Sequence, residues 1–380
     1  IMRSYQYSSS IPENNKDTFT ENDNITFMIN GDQDMSLLKN SVRLEGNVKV
    51  FIGGNQVSTE LVYFNPQVGA HGLVESMQVS TQNGLVENIS NSYPRLVNMK
   101  EQATRSINDS LNGSEACELK MPTNQQVQNY CHGTASHTSE ALSSAGGSKI
   151  NVPVSFSFKP LCCLNRVASS SGNLPFSRVG SVKLQVILSR NLGFLYGNVA
   201  NASDLTYELT NIKLAYVQVP SQDLDNQPQM CRSFVSVKQT LNSNVTSINS
   251  KVPSAVDAVS ISFQKVADEN TVRKDNLKLN NVDGLTHLEF GFNNSVEMIK
   301  YQIEDRGEMV QRALNSFSYT GHNQLKANMS NKGSGFMAGL NFQLPKDLSQ
   351  NSFNTVVSTD KINNLNKYNI YLFFHSMVTL

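Results

Sequence analysis

The chain has no tryptophan, few charged residues and no long apolar run. Only 16% of its 380 residues are charged, and Lys plus Arg equals Asp plus Glu at 31 each. Without net charge or a local basic cluster, the chain has no bulk field to attract nucleic acid, so direct nucleic-acid binding is disfavoured. The apolar runs fall far short of the roughly 20 residues that span a bilayer. The N-terminal stretch lacks the apolar segment of a signal peptide, and we expect synthesis in the cytoplasm.

Cysteine is also scarce, with five residues, two of them adjacent. An odd number and an adjacent pair argue against a disulfide framework and favour a reducing compartment. One group has the residue types that zinc accepts, namely Cys117, Cys131, His132 and His137. It lacks the C-x-x-C pair of structural zinc sites and lies in a Ser- and Gly-rich stretch. We interpret it as an exposed loop and expect neither a metal site nor a cofactor.

The motifs of the common enzyme classes are missing as well. There is no G-x-S-x-G, H-E-x-x-H, C-x-x-C or Walker loop. His71 and His375 lie beside or within predicted strands, where a histidine more often packs than acts as a base. We interpret the remaining carboxylates as a solvated face, not as an acid–base pair: Glu75, Glu87, Asp305 and Glu308. The sequence therefore predicts no catalytic residue and no enzyme.

What the chain has in abundance is the two-residue alternation of half-buried strands. In the stretch Ser181–Pro220, apolar residues alternate with polar ones from Val182 to Leu188 and again from Leu205 to Leu209. Ile212–Val219 is apolar on both faces, and Pro220 ends the run because proline cannot donate to a ladder. A β-sandwich is predicted to end here.

The last 45 residues repeat this plan. Leu340, Phe342 and Leu344 alternate with polar residues, and Tyr368–Leu380 forms a closing apolar strand, which matches Leu184 to Leu340 and Leu214 to Leu372. One helix is predicted in each half, from Pro94 to about Ile107 and from about Arg306 to Phe317. The fold class is therefore all-β, with two tandem jelly-roll β-sandwiches that each carry one short helix. The expected division is an N-terminal arm (1–24), a first jelly roll (25–219) with a surface insertion (108–150), a linker (220–232) and a second jelly roll (233–380).

This plan resembles the double jelly-roll major capsid proteins of icosahedral DNA viruses, the lineage of virophages, polinton-like elements and large eukaryotic DNA viruses. The resemblance lies in Leu174-Pro175-Phe176 leading into Val182–Leu188, the mid-chain ending Leu205–Pro220, the reopening at Phe234 and the strand that ends at Leu380. In that family three chains form a capsomer of six jelly rolls with a pseudo-hexagonal outline, and loop insertions form the outer surface.

The resemblance implies a structural major capsid protein, a homotrimer located in the virion shell. Its implied partners are copies of itself, neighbouring capsomers, and minor or vertex capsid proteins, and an internal membrane is left open. Two alternatives remain. One is a vertex (penton) or minor capsid protein with one jelly roll plus an extra domain, which the mid-chain repeat disfavours. The other is a carbohydrate-binding or adhesive β-sandwich, which would need more exposed aromatic residues than the alternation leaves.

Two segments carry separate expectations. The insertion 108–150 is rich in Gly and Ser and is predicted to be an exposed loop on the outer side of the capsid. Residues 1–24 are polar, with Tyr5, Tyr7 and Phe19 as isolated apolar anchors. They are expected to be either a frayed terminus or an arm that orders only on docking to a neighbouring capsomer or an internal minor protein.

Overall fold

The structure is a computed structural model. It describes residues 5–53, 55–56, 62–65, 67–104, 117–120, 154–197, 201, 204–251, 255–269, 271–272, 274–280, 282–293, 300–317, 336–347, 352–361 and 367–380.

Short strands dominate these residues. The strands of the first half are β1 (Gln6–Ser10), β2 (Thr18–Phe19), β3 (Asn24–Ile29), β4 (Met35–Leu37), β5 (Arg43–Ile52), β6 (Asn55–Gln56), β7 (Val62–Phe64), β8 (Val74–Thr81), β9 (Gly84–Ile89), β10 (Val154–Phe158), β11 (Leu174–Pro175), β12 (Val182–Leu188), β13 (Leu195–Gly197) and β14 (Leu205–Pro220). Those of the second half are β15 (Met230–Leu241), β16 (Val245–Lys251), β17 (Ala255–Lys265), β18 (Leu285–Asn293), β19 (Lys300–Ile303), β20 (Ala338–Asp347), β21 (Ser352–Thr359) and β22 (Tyr368–Thr379). The α-helices are α1 (Tyr93–Thr104), α2 (Phe176–Val179), α3 (Asn191–Phe194) and α4 (Arg306–Asn315), and 3-10 helices span Gly69–Leu73, Cys163–Asn165, Asp223–Asn226 and Val266–Asp268.

Each half of the described chain contains two antiparallel sets of four strands, with the same strand order in both halves; in the first half β2, β4, β6 and β11 extend the set that contains β14. In the first half the orders are β1-β14-β5-β10 and β3-β12-β8-β9; in the second they are β15-β22-β17-β20 and β16-β21-β18-β19. Taken along the chain, β1, β3, β5, β8, β9, β10, β12 and β14 occupy the positions of β15 to β22 in turn. Two jelly rolls of identical topology are present, which confirms the predicted fold class.

The two rolls share one sheet. Strand β9, the last of the β3-β12-β8-β9 sheet, lies parallel to β15, the first of the β15-β22-β17-β20 sheet, with Asn88 opposite Val235. The result is a continuous eight-stranded sheet that runs from one roll into the other. Because the remaining pairs in this sheet are antiparallel, the parallel contact marks the boundary between the rolls.

The core of each roll follows from the alternation that the sequence displays. In β12 the residues at alternate positions from Val182 to Leu188 are buried, and the residues between them are at least partly accessible. The second roll adds a group of aromatic rings whose neighbouring centroids lie 5.0 to 6.0 Å apart. This group consists of Phe290, Phe292, Phe342, Phe353 and Phe374. Burying aromatic side chains of this size supplies a large part of the favourable free energy of folding.

Both predicted helices are present, each between the fifth and sixth strand of its roll. In α4, the side chain of Asp305 caps the first turn by accepting a hydrogen bond from the backbone N–H of Glu308 at 2.9 Å. Its buried stripe contains Met309, Val310, Ala313 and Leu314. Helix α1 is buried on nearly all faces, because it packs against β8 in its own roll and against β17 in the other.

The pairing of repeated strands differs from the sequence-based expectation in one place. The expected match of Leu184 with Leu340 is wrong, because Leu184 lies in β12 whereas Leu340 lies in β20, whose topological equivalent is β10. The equivalent of β12 is β21, whose inward residues include Thr355 and Thr359 besides Phe353 and Val357. The two threonines make this strand look polar in the sequence. The match of Leu214 with Leu372 agrees with the topology, since β14 and β22 are equivalent.

The N-terminal segment also differs from its expectation. Residues 6–10 form β1, which pairs antiparallel with β14 from Gln6 opposite Gln218 to Ser10 opposite Leu214. The first roll therefore includes β1 and does not begin at residue 25. The physical reason is that an edge strand is held by main-chain hydrogen bonds, which do not require an apolar side-chain pattern.

Strand β14 ends at Pro220 and β15 begins at Met230, so β15 starts three residues before the expected start of the second roll at 233. A turn at Gln82-Asn83 joins β8 to β9, and Gly84, the first residue of β9, adopts a φ of 123°, which side-chain-bearing residues rarely adopt. The linker between β14 and β15 contains the 3-10 helix Asp223–Asn226. The insertion 108–150 lies outside the described residues except for 117–120.

Candidate functional site: the junction between the rolls

The first candidate base, His71, lies in a buried hydrogen-bond chain. Its Nδ1 is 2.8 Å from the hydroxyl of Tyr93, which also accepts a hydrogen bond from the N–H of Leu161 at 2.8 Å. Its Nε2 is 3.7 Å from the carboxylate of Glu118. Burial lowers the pKa of His71, so the neutral ring is the favoured form. These contacts join the 3-10 helix Gly69–Leu73 to α1.

The second, His375, is buried in the shared sheet. Its Nε2 lies 2.8 Å from the hydroxyl of Ser260 on β17, and the rings of Phe234 and Phe317 meet it edge-on at 5.0 and 4.8 Å between centroids. Burial places its pKa well below the ordinary value. A neutral ring held between two phenylalanines packs the sheet.

Two of the four carboxylates, Asp305 and Glu308, are accessible to solvent as the sequence suggested, and the other two are not. Asp305 caps α4, and Glu308 accepts a hydrogen bond from Arg312 one turn later at 2.7 Å. Glu75 accepts from the N–H of Ser92 at 3.0 Å, and burial raises its pKa. That interpretation is therefore wrong for Glu75, and it is most clearly wrong for Glu87.

Glu87 is a fully buried carboxylate at the boundary between the rolls. It lies on β9, is 1% exposed, and accepts one hydrogen bond on each oxygen. Oε2 receives the N–H of Cys163 in the first roll at 2.7 Å, and Oε1 receives the N–H of Phe234 on β15 at 2.9 Å. Burial raises the pKa of Glu87 to about 7, although the two N–H donors and Arg166 oppose this shift. One side chain thus connects β9, the 3-10 helix Cys163–Asn165 and the second roll.

Further hydrogen bonds run along the same seam. The hydroxyl of Ser233 donates to the carbonyl of Val86 at 3.2 Å, and the hydroxyl of Ser236 accepts from the N–H of Asn91 at 3.0 Å. These bonds flank the parallel pairing of Asn88 with Val235 on both sides. The first residues of β15 therefore dock onto β9 from Val86 to Asn88 and onto Asn91 just beyond it.

A loop of the first roll covers the start of β15. Val167 forms an antiparallel bridge with Cys231, and the carbonyl of Arg166 accepts from the N–H of Arg232 at 3.0 Å. The guanidinium of Arg166 lies 4.7 Å from the ring centre of Phe234. Phe234 is consequently 0% exposed, buried by contacts from both rolls.

A second set of contacts joins α1 to the second roll. Arg95 is 1% exposed, and its guanidinium donates to the backbone carbonyls of Phe263, Asn276 and Lys278. Its Cζ lies 4.9 Å from the ring centre of Tyr371. Asn98 adds a hydrogen bond to the carbonyl of Leu277 at 2.8 Å. The planar guanidinium, with its five donors, suits this position because it can serve several carbonyls while stacking on an aromatic ring.

The linker is fixed to the first roll. Asp225 is 1% exposed and accepts hydrogen bonds from Ser36 at 2.9 Å, from the N–H of Asn173 at 2.7 Å and from the N–H of Gln222 at 3.1 Å. Gln229 exchanges two backbone hydrogen bonds with Leu380. The polar linker of the sequence is thus a folded segment that fixes where β15 begins.

Cationic side chains surround a cavity of about 640 Å³ beside this junction. The cationic side chains in its lining are Lys100, Lys159, Arg166 and Arg232. Two of them form ion pairs, Lys100 with Glu101 at 2.9 Å and Arg232 with Asp257 at 2.6 Å. Residues of α1, of the segment from Lys159 to Ser169, and of β15 and β22 line the cavity, so it lies where the loop over β15 meets both rolls.

Within the described residues no group of three or more His, Cys, Asp or Glu side chains is arranged to hold a metal ion. Of the zinc-type group, Cys117 is exposed, and Cys131, His132 and His137 lie outside the described residues. No helix in the described part of the chain is long and apolar enough to cross a membrane.

Sequence reasoning missed the junction. Glu87, Arg95 and Asp225 resemble ordinary surface residues in the sequence, and only their partners in the other roll or in the linker reveal their role. The available signal was weak: Glu87 lies two residues before Ile89 in a stretch where the sequence predicts no strand, and Arg95 lies in the first turn of a helix among the apolar residues Leu96 and Val97.

Comparison with known proteins finds solved structures that share this architecture. No family model and no curated protein matches the sequence. Among solved structures, the Faustovirus major capsid protein matches with a TM-score of 0.64 at 10% identity, over 99% of this chain and 90% of that one. A chain in the cryo-EM structure of the Sputnik virophage matches with a TM-score of 0.60 at 10% identity, over 100% of this chain and 86% of the other. The STIV MCP, from Sulfolobus Turreted Icosahedral Virus, matches with 0.53 at 12% identity, over 99% and 97%. With two rolls of matching topology and nearly full coverage on both sides, this chain has the double jelly-roll fold of these viral capsid proteins.

Proposed function

We propose that this chain is a structural major capsid protein whose trimers form the pseudo-hexagonal capsomers of an icosahedral viral shell. The observation that carries the proposal is the end-to-end match of both rolls to major capsid proteins, with coverage of 90 to 97% of the matched chains. A match to one roll alone would have left the second as an unexplained domain.

The junction supports the same proposal. A capsomer of six rolls needs pairs of rolls held in a fixed relation, and the shared sheet together with Glu87, Arg95 and the linker provides this relation within one chain. The buried, hydrogen-bonded positions of His71 and His375 fit a structural protein rather than an enzyme. Accordingly, the proposed location is the virion shell, and the proposed partners are copies of the chain and minor or vertex capsid proteins, without direct contact to nucleic acid.

Negative-stain microscopy and analytical ultracentrifugation of the purified chain test the proposal together. We expect a species of three chains with a hexagonal outline at micromolar concentration. Five-fold rings would overturn the major capsid assignment in favour of a vertex protein. Monomers at the same concentration would overturn it in favour of a binding module, and a glycan array would then be the next measurement.

A further inference from the structure

The junction inside the chain is formed by two strands, and each has a topological counterpart with one edge that pairs with no other described strand. The two strands are β9, the fifth strand of the first roll, and β15, the first strand of the second roll. By topology the counterpart of β9 is β19, and the counterpart of β15 is β1. Among the described residues β19 pairs only with β18, and β1 pairs only with β14. One edge of each strand is therefore unpaired within the described chain.

The register of β1 against its neighbour identifies the residue that matches Phe234. Strands β14 and β22 each carry a buried leucine followed two residues later by a buried aromatic residue, Leu214–Tyr216 and Leu372–Phe374. Aligning these places Val217 with His375. Tyr7 lies opposite Val217, and Phe234 lies opposite His375. Tyr7 thus holds in β1 the position that Phe234 holds in β15.

The exposure of these two residues is opposite. Phe234 is 0% exposed because the first roll covers it, whereas Tyr7 is 84% exposed, and Tyr5, just before β1, is 67% exposed. Exposed aromatic side chains along an unpaired strand edge are the usual signature of a protein contact. Tyr7 thus places a large amphipathic side chain at the position in β1 where the equivalent strand β15 carries the buried ring of Phe234.

Strand β9 and its counterpart β19 indicate the register of the equivalent contact. β9 and β19 both end in a buried isoleucine shortly before the helix of their roll, Ile89 and Ile303. Aligning these two residues places Asn88 with Gln302. Within the chain Asn88 lies opposite Val235, and the residue that follows Tyr7, as Val235 follows Phe234, is Ser8.

We propose that β19 of one copy pairs in parallel with β1 of a second copy, with Gln302 opposite Ser8 of the next copy, and that this contact buries Tyr7. The inference rests on the proposed capsomer and names the surface through which its copies meet. Because the contact joins two different surfaces of the chain, β19 and β1, it is head-to-tail. Three copies close a ring in which three such contacts between copies alternate with the three β9–β15 junctions inside the copies. The opposite edge of the same sheet, β16, takes no part.

Paired cysteines test the register in the full-length chain. Neighbouring strands lie about 4.8 Å apart, within the Cα separation of about 4.4 to 6.8 Å that a disulfide spans. We expect mild oxidation of the S8C/Q302C double variant to give covalent dimers and trimers on a non-reducing gel. The matched control is S8C/V245C, because Val245 is exposed on β16 at the other edge of that sheet. The single variants measure any background from native thiols such as the exposed Cys117.

The substitution Tyr7→Glu gives a second, independent measurement. We expect it to raise the dissociation constant of the trimer at least tenfold in analytical ultracentrifugation while the circular dichroism spectrum stays unchanged, and Val245→Glu to leave association as it is. Trimers that persist with Tyr7→Glu, or that crosslink through S8C/V245C instead, would overturn the inference and leave the capsomer proposal standing. A wild-type chain that remains monomeric would overturn both.

Discussion

Glu87 makes the stability of this protein depend on pH in a direction opposite to that of most carboxylates. Its pKa is about 7 in the folded chain against 4.5 for an ordinary glutamate. The folded state therefore binds the proton more tightly than the unfolded state does. The stabilising effect is fully present below pH 4.5 and is lost as the pH rises through 7.

The magnitude follows from the size of the shift. At about 1.4 kcal/mol for each pKa unit, the free energy of unfolding should fall by roughly 3 kcal/mol between pH 4.5 and pH 8 through this group. The substitution Glu87→Gln keeps the shape but cannot ionise. Its single amide oxygen can accept only one of the two N–H groups of Cys163 and Phe234, whereas a protonated carboxyl keeps acceptor capacity on both oxygens, so the variant loses one hydrogen bond at every pH. We expect the wild type to lose about 2 to 3 kcal/mol of its free energy of unfolding between pH 5 and pH 8 through this group, and the variant, which has no proton to release there, to lose none of it.

Urea denaturation followed by circular dichroism at fixed protein concentration, at pH 5 and pH 8, measures this double difference. Glu304→Gln is a matched control, since it removes a carboxylate whose side chain is 82% exposed. The reasoning would be refuted if Glu87→Gln and the wild type lost the same free energy between the two pH values.

Three further predictions concern the junction and the first strand. Arg95→Leu should lower the free energy of unfolding by about 3 kcal/mol or more because three buried carbonyls lose their donor, and Arg95→Lys should not restore the lost stability. Equal chemical-denaturation midpoints for the wild type and the two variants would contradict this prediction. Asp225→Ala should lower the free energy of unfolding by about 2 to 3 kcal/mol, and Asp225→Asn should lower it less, since the amide keeps one acceptor oxygen. Thermal unfolding ranks the two variants, and an alanine variant as stable as the asparagine variant would show that the hydrogen bonds of the linker are dispensable. Deleting residues 1–10 should lower the calorimetric transition temperature because β14 loses its edge partner, and an unchanged transition would favour the frayed-terminus interpretation.

The sequence predicted the fold well where one face of a strand is apolar. The alternation in Val182–Leu188 and Leu205–Pro220 and the closing strand at Tyr368–Thr379 reflect burial against a core, which acts directly on side-chain type. Strand β21 was missed because threonine fills two of its inward positions. Strand β1 was missed because main-chain pairing at an edge places little demand on the side chains.

The junction could not be predicted for a different reason. Whether Glu87 or Arg95 is solvated or buried depends on which other segment covers it, and neither β15 nor the loop at Asn276 is near either residue in the sequence. Periodicity reports which way a side chain points within its own element. It carries no information about a second element that packs on the polar face.

The shared sheet has a consequence for the order of events in assembly. Because β9 and β15 belong to one chain, in which the folded linker after β14 fixes where β15 begins, their contact forms at an effective concentration of about millimolar or higher, whatever the protein concentration is. A contact between β19 and β1 of separate copies has no such advantage and forms only as the protein accumulates. Of the six seams in a ring of six rolls, three would thus be completed during folding, and the other three would respond to the supply of subunits. Ring closure would then be governed by a single type of weak, reversible contact, which allows misplaced copies to leave before a shell is sealed.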